Sequence, residues 1–127
     1  MIVNEVAEDI HRNAKEKGWW DEERSPAEII ALCHSELSEA LECFRKGDPA
    51  EYFTKIVTDG FNGHYAQETD MTKWSKDKKT EGWATEMIDC VIRIFDFLEY
   101  KKVNISGVLW RKHEFNQTRE RKHGKKF

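Results

Sequence analysis

Two pairs of acidic residues lie inside the two most apolar helical stretches of the chain, and they constrain its fold more than any other feature. Glu36 and Glu39 belong to the stretch IIALCHSELSEALECF, and Glu86 and Asp89 belong to GWATEMIDCVIRIFDFLEY. Residues three apart project from the same side of a helix, about one turn apart. Each pair therefore presents two carboxylates to a common point, and two such helices can bring four carboxylates to one site.

Carboxylates that face an interface between helices predict a bound cation. Burying an ionised carboxylate is costly unless a positive charge neutralises it, and hard divalent cations such as Mg2+ take oxygen ligands of this kind. The two pairs therefore predict a metal centre. The alternative interpretation is a buried salt-bridge network with Arg93, which shares a helical stripe with Glu86 and Asp89.

The hydrophobic pattern predicts an all-α fold and offers no sustained alternation typical of a strand. One helix start is clear, because Ser25 precedes Pro26 and is followed three residues later by Glu28, as in a capping box. Gly47 predicts the end of the same helix. Short connections favour antiparallel neighbours, so we expect a four-helix-bundle-type domain. The four predicted helices cover residues 3–16, 25–46, 81–101 and 104–119.

The length of 127 residues predicts a single domain, 1–127, with an inserted segment at about 48–80. This segment is long for a connection between helices, and its aromatic residues indicate that it packs. We expect either a short helix near 50–57 or a lid over a ligand pocket.

Charge and cysteine usage narrow the classes of partner. Residues 111–127 carry seven lysines or arginines against two acids, whereas the rest of the chain is acidic. The basic tail suggests an anionic ligand held together with the metal, but charge alone favours a frayed, exposed C-terminus. The acidic body argues against a stable nucleic-acid partner. Three cysteines without a CxxC spacing indicate reduced thiols in the cytoplasm, and the absence of a long apolar run argues against a membrane partner.

Two further groups of residues suit a nucleotide. Trp19 and Trp20 are adjacent aromatic residues that could stack on a base, or could be core anchors. Lys112, Asn116 and Arg119 have the spacing of one helix face and present two cations and an amide, which suits phosphates. An exposed helix surface explains the second group equally well.

In this order, the segments KGWW, ELSEALE, EGWATEMIDCVIRIFD and KHEFNQTRERKHGKKF resemble the MazG-like all-α nucleoside triphosphate pyrophosphohydrolases. The resemblance covers about residues 10–47 and 80–127. It implies an enzyme that hydrolyses a nucleoside triphosphate to the monophosphate and pyrophosphate, in nucleotide house-cleaning or pool control. It also implies that Mg2+, or alternatively Mn2+, is held by four residues that are both metal ligands and catalytic residues: Glu36, Glu39, Glu86 and Asp89.

The resemblance implies the substrate contacts and the assembly as well. Lys112, Asn116 and Arg119 would approach the phosphates, and Trp19 or Trp20 would lie near the base. Many members of this family are dimers or tetramers, so we expect a homodimer or homotetramer. The alternative function is a non-catalytic helical interaction module, in which the acidic cluster pairs with the basic tail of a partner subunit.

Overall fold

The computed structural model describes residues 2–125, apart from the side chains of Asp59 and His123. Lys126 of the basic tail lies outside the described residues. The chain is mostly helical and also forms one small antiparallel sheet. Each of the four helices lies within two residues of its predicted bounds, which confirms a mostly helical fold. Helices α1 to α4 are Ile2–Glu16, Pro26–Lys46, Trp83–Tyr100 and Ile105–Gln117. Short 3-10 helices lie at Met71–Lys73 and Arg121–Gly124.

Helix α2 has the ends that its sequence predicts. The Ser25 hydroxyl accepts a hydrogen bond from the backbone N–H of Glu28 at 3.1 Å, and Pro26 occupies the first turn, where its missing N–H has no cost. The helix ends at Gly47, whose backbone N–H bonds to the carbonyls of Cys43 and Phe44. These caps fix where α2 begins and ends.

The inserted segment corrects the all-α prediction, because residues 53–68 form a β-hairpin and not a helix. Strands β1, Phe53–Asp59, and β2, Asn62–Glu68, pair in antiparallel fashion with Ile56 opposite Tyr65. The turn between them contains Gly60 at φ 65°, a backbone conformation that glycine adopts at low cost. The short helix predicted near 50–57 is therefore wrong.

Mixed strand faces explain why the hairpin was missed. One face of β1 carries Thr54, Ile56 and Thr58, and the other carries Phe53, Lys55 and Val57. Polar and apolar residues thus occur on both faces, so hydropathy does not alternate cleanly along the strand. The β-branched content of the strand and the Asp-Gly pair at its end were the available signals.

Backbone contacts tie both ends of the hairpin segment together. Tyr52 and Glu81 exchange two backbone hydrogen bonds of 2.9 and 2.8 Å, and the Ala84 N–H donates to the Ala50 carbonyl at 3.0 Å. Gly82 lies at this crossing with φ 114°, and a Cβ atom there would be 2.4 Å from the Ala50 carbonyl oxygen. Only glycine permits this approach without movement of the backbone, and the crossing fixes the start of α3.

Glu68 at the end of β2 organises the hairpin electrostatically. Its carboxylate accepts a hydrogen bond from Lys55 at 2.8 Å and from the Asp70 backbone N–H at 3.2 Å, and Lys73 lies 3.4 Å away. These bonds, that from Lys55 above all, lower the pKa of Glu68 to about 2. The carboxylate is therefore ionised at every pH at which the protein is expected to work.

The contacts divide the chain into two compact units, and the division falls within α3. The second unit is Ser25–Arg93, and its buried apolar residues are Ile29, Ala40, Phe53 and Cys90. The first unit contains the described residues up to Arg24 and from Ile94 onward. The prediction of a single domain stays a prediction. None of the helices in the described part of the chain has the length and apolarity that crossing a membrane requires.

Hydrogen bonds in the first unit join α1 to the start of α4. The Asn4 amide donates to Asn104 Oδ1 at 3.0 Å, and the backbone N–H of Ser106 donates to Asn4 Oδ1 at 3.0 Å. Asn104 is also the N-cap of α4, because its side chain accepts from the backbone N–H of Gly107 at 3.1 Å. Ile105 and Ser106, the first two residues of α4, are buried.

Candidate metal centre

The second unit contains both acidic pairs. Glu36 and Glu39 lie in the middle of α2, and Glu86 and Asp89 lie in the first two turns of α3. The cap at Ser25 fixes the start of α2, and the backbone bonds around Gly82 fix the start of α3. Their local positions therefore follow from the ends of the helices that carry them.

The structure brings the carboxylates together. Glu36, Glu86 and Asp89 each offer one oxygen, and these three oxygens lie within 4.8 Å of one another. Glu39 shares a hydrogen bond with Glu86, so it belongs to the same group. Glu36 is buried, with 8% of its surface exposed. We call Glu36, Glu39, Glu86 and Asp89 the acidic quartet.

The electrostatics of the acidic quartet show a shortage of positive charge. Burial, followed by the hydrogen bond and the charge of Glu39, raises the pKa of Glu86 to about 7. Burial, followed by the charge of Glu36, also raises the pKa of Asp89, although Arg93 and Lys79 act in the opposite direction. Ionising both Glu86 and Asp89 is therefore unfavourable in the protein alone.

Arg93 supplies part of the missing charge, as the salt-bridge interpretation expects. Its guanidinium Nε donates to Glu36 Oε1 at 2.8 Å. Arg93 and Lys79 together are two cations near four carboxylates, so an ionised quartet keeps an excess of negative charge. The ion pair thus coexists with a site that can still take a divalent cation.

The donor set fits Mg2+. All four side chains offer carboxylate oxygens, which are the ligands that this ion prefers. Two oxygens bound to one Mg2+ are at most about 4.2 Å apart, because each bond is 2.0–2.1 Å long. At most one pair among three ligands can be opposite each other, so the oxygens of Glu36, Glu86 and Asp89, which lie within 4.8 Å of one another, would have to move closer together to bind one ion. The raised pKa of Glu86 fits as well, because a cation would relieve the repulsion that keeps it protonated.

The residues predicted to bind phosphates lie in the first unit, on and just after α4. Lys112 Nζ is 5.3 Å and Arg119 Cζ is 5.7 Å from the centre of the Phe115 ring, so both cations lie against the same aromatic side chain. Asn116 Oδ1 is buried and has no hydrogen-bond partner among residues 2–125. The three residues are thus close to one another. A site shared with the acidic quartet stays a prediction.

Trp20 is engaged within the first unit. Its ring stacks on Tyr100 with the centroids 4.1 Å apart, and its indole N–H donates to both carboxylate oxygens of Asp96 at 2.9 and 3.0 Å. Asp96 also lies 2.7 Å from the buried His11 ring nitrogen Nδ1. These contacts are what a core anchor makes, and His11 and Asp96 were not singled out in the sequence.

Trp19 differs from its neighbour in exposure. Half of its surface is exposed, and the guanidinium of Arg24 lies 5.0 Å from the ring centre. Arg24 also donates to the Trp19 carbonyl at 3.0 Å, which holds the cation beside the ring. Of the two tryptophans, Trp19 has the more accessible ring for stacking on a base.

A cavity of about 210 Å³ adjoins the acidic quartet in the second unit. Glu39 and Glu86 line it together with Lys46, Asp48 and Tyr52, among others. The last two belong to the inserted segment, whose fold the sequence did not predict. A hairpin in the inserted segment brings Tyr52 back to the start of α3, so recognising the hairpin in the sequence would have indicated that this segment lines the cavity.

Cys33 and Cys90 also contact each other beside the quartet. A side-chain hydrogen bond links them, and Cys90 directly follows Asp89 in α3. Burial, followed by the charge of Cys90 and the hydrogen bond, raises the pKa of the Cys33 thiol. That the cysteines are reduced in the cytoplasm stays a prediction.

No protein-family model, curated protein or solved structure matches the chain.

Proposed function

We propose that this protein is a Mg2+-dependent, MazG-like nucleoside triphosphate pyrophosphohydrolase, a hydrolase that converts a nucleoside triphosphate to the monophosphate and pyrophosphate. The observation that carries the proposal is the convergence of Glu36, Glu86 and Asp89 within 4.8 Å, with Glu39 bonded to Glu86. The resemblance of the ExxE and ExxD segments to that family supplies the reaction. The implied roles are nucleotide house-cleaning or pool control.

The acidic quartet would hold the metal, Mg2+ or alternatively Mn2+. When bound, the ion would offset the charge of the triphosphate and lower the pKa of an attacking water. Without a cation the four acids would repel the substrate, so the quartet contacts metal and not phosphate. A carboxylate of the quartet that is not fully engaged would orient the water toward the α-phosphorus.

Cations outside the quartet would hold the phosphates. Lys112 and Arg119, with the amide of Asn116, form a compact group against Phe115 that suits a phosphate chain. Trp19, with its half-exposed ring, would contribute stacking to the base. These assignments follow from the resemblance and from the local geometry of each group.

The proposal includes assembly as a homodimer or homotetramer in the cytoplasm, without a stable nucleic-acid partner. Assembly is supported by apolar side chains that α2 leaves about half exposed, namely Ile30, Leu37, Leu41 and Phe44. A second copy with the same helices would cover them and complete a helical bundle. The same exposed residues favour the second candidate, a non-catalytic helical interaction module, which predicts assembly without turnover.

Turnover in the presence and absence of metal tests the proposed function. Glu39→Gln and Asp89→Asn remove a charge with little change in volume, so each is expected to lower kcat by about two orders of magnitude or more while the helical content is kept. Glu51→Gln is the matched control, because Glu51 is an exposed acid of the same unit outside the quartet. Excess EDTA should abolish turnover of the parent. Undiminished hydrolysis in EDTA, or full activity of both variants, would contradict the assignment of the acidic quartet as a catalytic metal site.

A further inference from the structure

The cavity beside the acidic quartet has a wall that is fixed by the backbone. The two hydrogen bonds between Tyr52 and Glu81 and the close approach of Gly82 to the Ala50 carbonyl hold one side in place. The opposite side comes from the C-terminal half of α2, through Glu42, Cys43 and Lys46. The ring of Phe44 stacks on Trp83 with the centroids 4.8 Å apart, which joins these two sides. The cavity is therefore formed before any ligand arrives.

The charge of the cavity excludes a phosphate group. Beyond the two acids that it shares with the quartet, its lining contains Glu42, Asp48 and Glu81 against the single cation Lys46. A phosphate would meet an excess of negative charge there. A neutral group with hydrogen-bond donors would instead find several carboxylate acceptors.

The position of the cavity matches the nucleoside end of the proposed substrate. Because Glu39 and Glu86 line the cavity and also belong to the quartet, the cavity begins where the metal would lie. One ribose separates the base of a nucleotide from its α-phosphate, so a base pocket must adjoin the metal centre. A volume of about 210 Å³ is large enough for a purine base.

Asp48 is a carboxylate of this wall that a neighbouring side chain holds in place. Asp48 lines the cavity together with Cys43 and Tyr52. The Gln67 side chain donates to Asp48 Oδ1 at 3.4 Å and helps to fix the carboxylate. Guanine carries two adjacent donors, N1–H and the 2-amino group, which one carboxylate can accept together. Uracil and thymine present carbonyl oxygens on both sides of their single donor and would be repelled.

We propose that this cavity is the base pocket of the enzyme and that it selects guanine, with the Asp48 carboxylate accepting hydrogen bonds from N1–H and the 2-amino group. The assignment rests on the proposed function, because the adjoining metal centre is what places a nucleotide here. Tyr52 contributes an aromatic ring and a hydroxyl to the same wall. The proposal concerns the hydrogen-bonding edge of the base and is independent of stacking on Trp19.

Calorimetric titration of the full chain with nucleoside monophosphates in Mg2+ buffer tests the pocket. Inosine monophosphate lacks only the 2-amino donor of guanosine monophosphate, and uridine monophosphate lacks the adjacent pair. A hydrogen bond to a charged group corresponds to about tenfold or more in affinity. We therefore expect guanosine monophosphate to bind about tenfold more tightly than inosine monophosphate, and more than tenfold more tightly than uridine monophosphate.

Asp48→Asn should remove most of that preference, because the amide replaces one acceptor oxygen by a donor at the same volume. Guanosine and inosine monophosphates should then bind within about twofold of each other. Glu51→Gln, an exposed acid outside the cavity, should keep the preference of the parent. Equal affinities of the parent for guanosine and uridine monophosphates would overturn the pocket, and this comparison needs no folded variant. An unchanged preference in a folded Asp48→Asn variant would overturn it too.

Failure of the pocket and failure of the proposed function give different results. Hydrolysis of guanosine and uridine triphosphates with equal kcat/KM would support the pyrophosphohydrolase activity but contradict a guanine-selective pocket. Selective binding of guanosine monophosphate without hydrolysis of guanosine triphosphate would support the guanine pocket but contradict the proposed enzymatic activity.

Discussion

Glu86 of α3 and Glu39 of α2 share a hydrogen bond, which requires that one of the two carboxyl groups hold a proton. Burial and this bond raise the pKa of Glu86 to about 7. Glu86 therefore titrates near neutral pH in the metal-free protein, and a divalent cation has to compete with its proton for the site.

The first prediction concerns the pH dependence of Mg2+ binding. Because Glu86 must lose a proton with a pKa of about 7, the affinity should rise by about tenfold between pH 6 and pH 8. Calorimetry in buffers of different ionisation enthalpy measures the affinity and the proton released. Glu51→Gln should behave as the parent does. An affinity that stays constant over this range would show that Mg2+ binding does not displace a proton from Glu86.

The second prediction concerns Glu68 and acid stability. The bond from Lys55 is the main cause that holds the pKa of Glu68 at about 2, below its ordinary value of 4.5. The ionised form therefore stabilises the folded state above about pH 4.5, and this contribution is lost as the pH falls toward 2. Glu68→Gln should lower the melting temperature at pH 6 but match the parent near pH 2. A melting difference independent of pH would contradict the ion pair as its source.

The third prediction concerns Gly82. A Cβ atom at this position would be 2.4 Å from the Ala50 carbonyl oxygen, and φ is 114°, so Gly82→Ala should lower the free energy of unfolding by about 2 kcal/mol or more. Gly63→Ala is the control, because an added Cβ there meets the Ile56 side chain at an ordinary 3.7 Å. Urea unfolding followed by circular dichroism compares them. Equal stability of the two variants would mean that the crossing at Ala50 is not tight.

The fourth prediction concerns Arg119 and the triphosphate. A guanidinium that contacts phosphate is worth about 1.5–3 kcal/mol, whereas an exposed arginine contributes less than about 1 kcal/mol. Arg119→Ala should therefore weaken binding of a non-hydrolysable triphosphate analogue by about tenfold or more, with a smaller effect on a monophosphate. Arg121→Ala serves as the control for net charge. If both variants bind the analogue as the parent does, the Lys112, Asn116 and Arg119 face belongs to solvent or to subunit packing.

The helices were predictable because their signals are local. Ser25, Pro26 and Gly47 mark the ends of α2 through backbone hydrogen bonding within a few residues, and the apolar period of 3.6 residues covers the rest. The spacing of the acids then placed each pair on one side of a helix. This inference depends only on the spacing within each helix and not on how the two helices pack.

The inserted segment was not predictable in the same way. β1 carries Ile56 and Lys55 on opposite faces, so its strand character depends on pairing with residues of β2 and not on its own hydropathy. The return of the chain from Tyr52 to Glu81 spans 29 residues and depends on the hairpin between them. The cavity that includes Asp48 and Tyr52 therefore emerged only from the folded chain.

Phosphorus NMR of a reaction mixture containing the protein, Mg2+ and each of the common nucleoside triphosphates tests the proposed pyrophosphohydrolase activity most directly, because it identifies the bond that is broken. The monophosphate and pyrophosphate are the expected first products, and the Glu39→Gln variant should give no product signals above background. Guanosine triphosphate should be consumed first. A nucleoside diphosphate with orthophosphate, or no consumption of any triphosphate, would contradict the assignment of the acidic quartet to pyrophosphohydrolase chemistry.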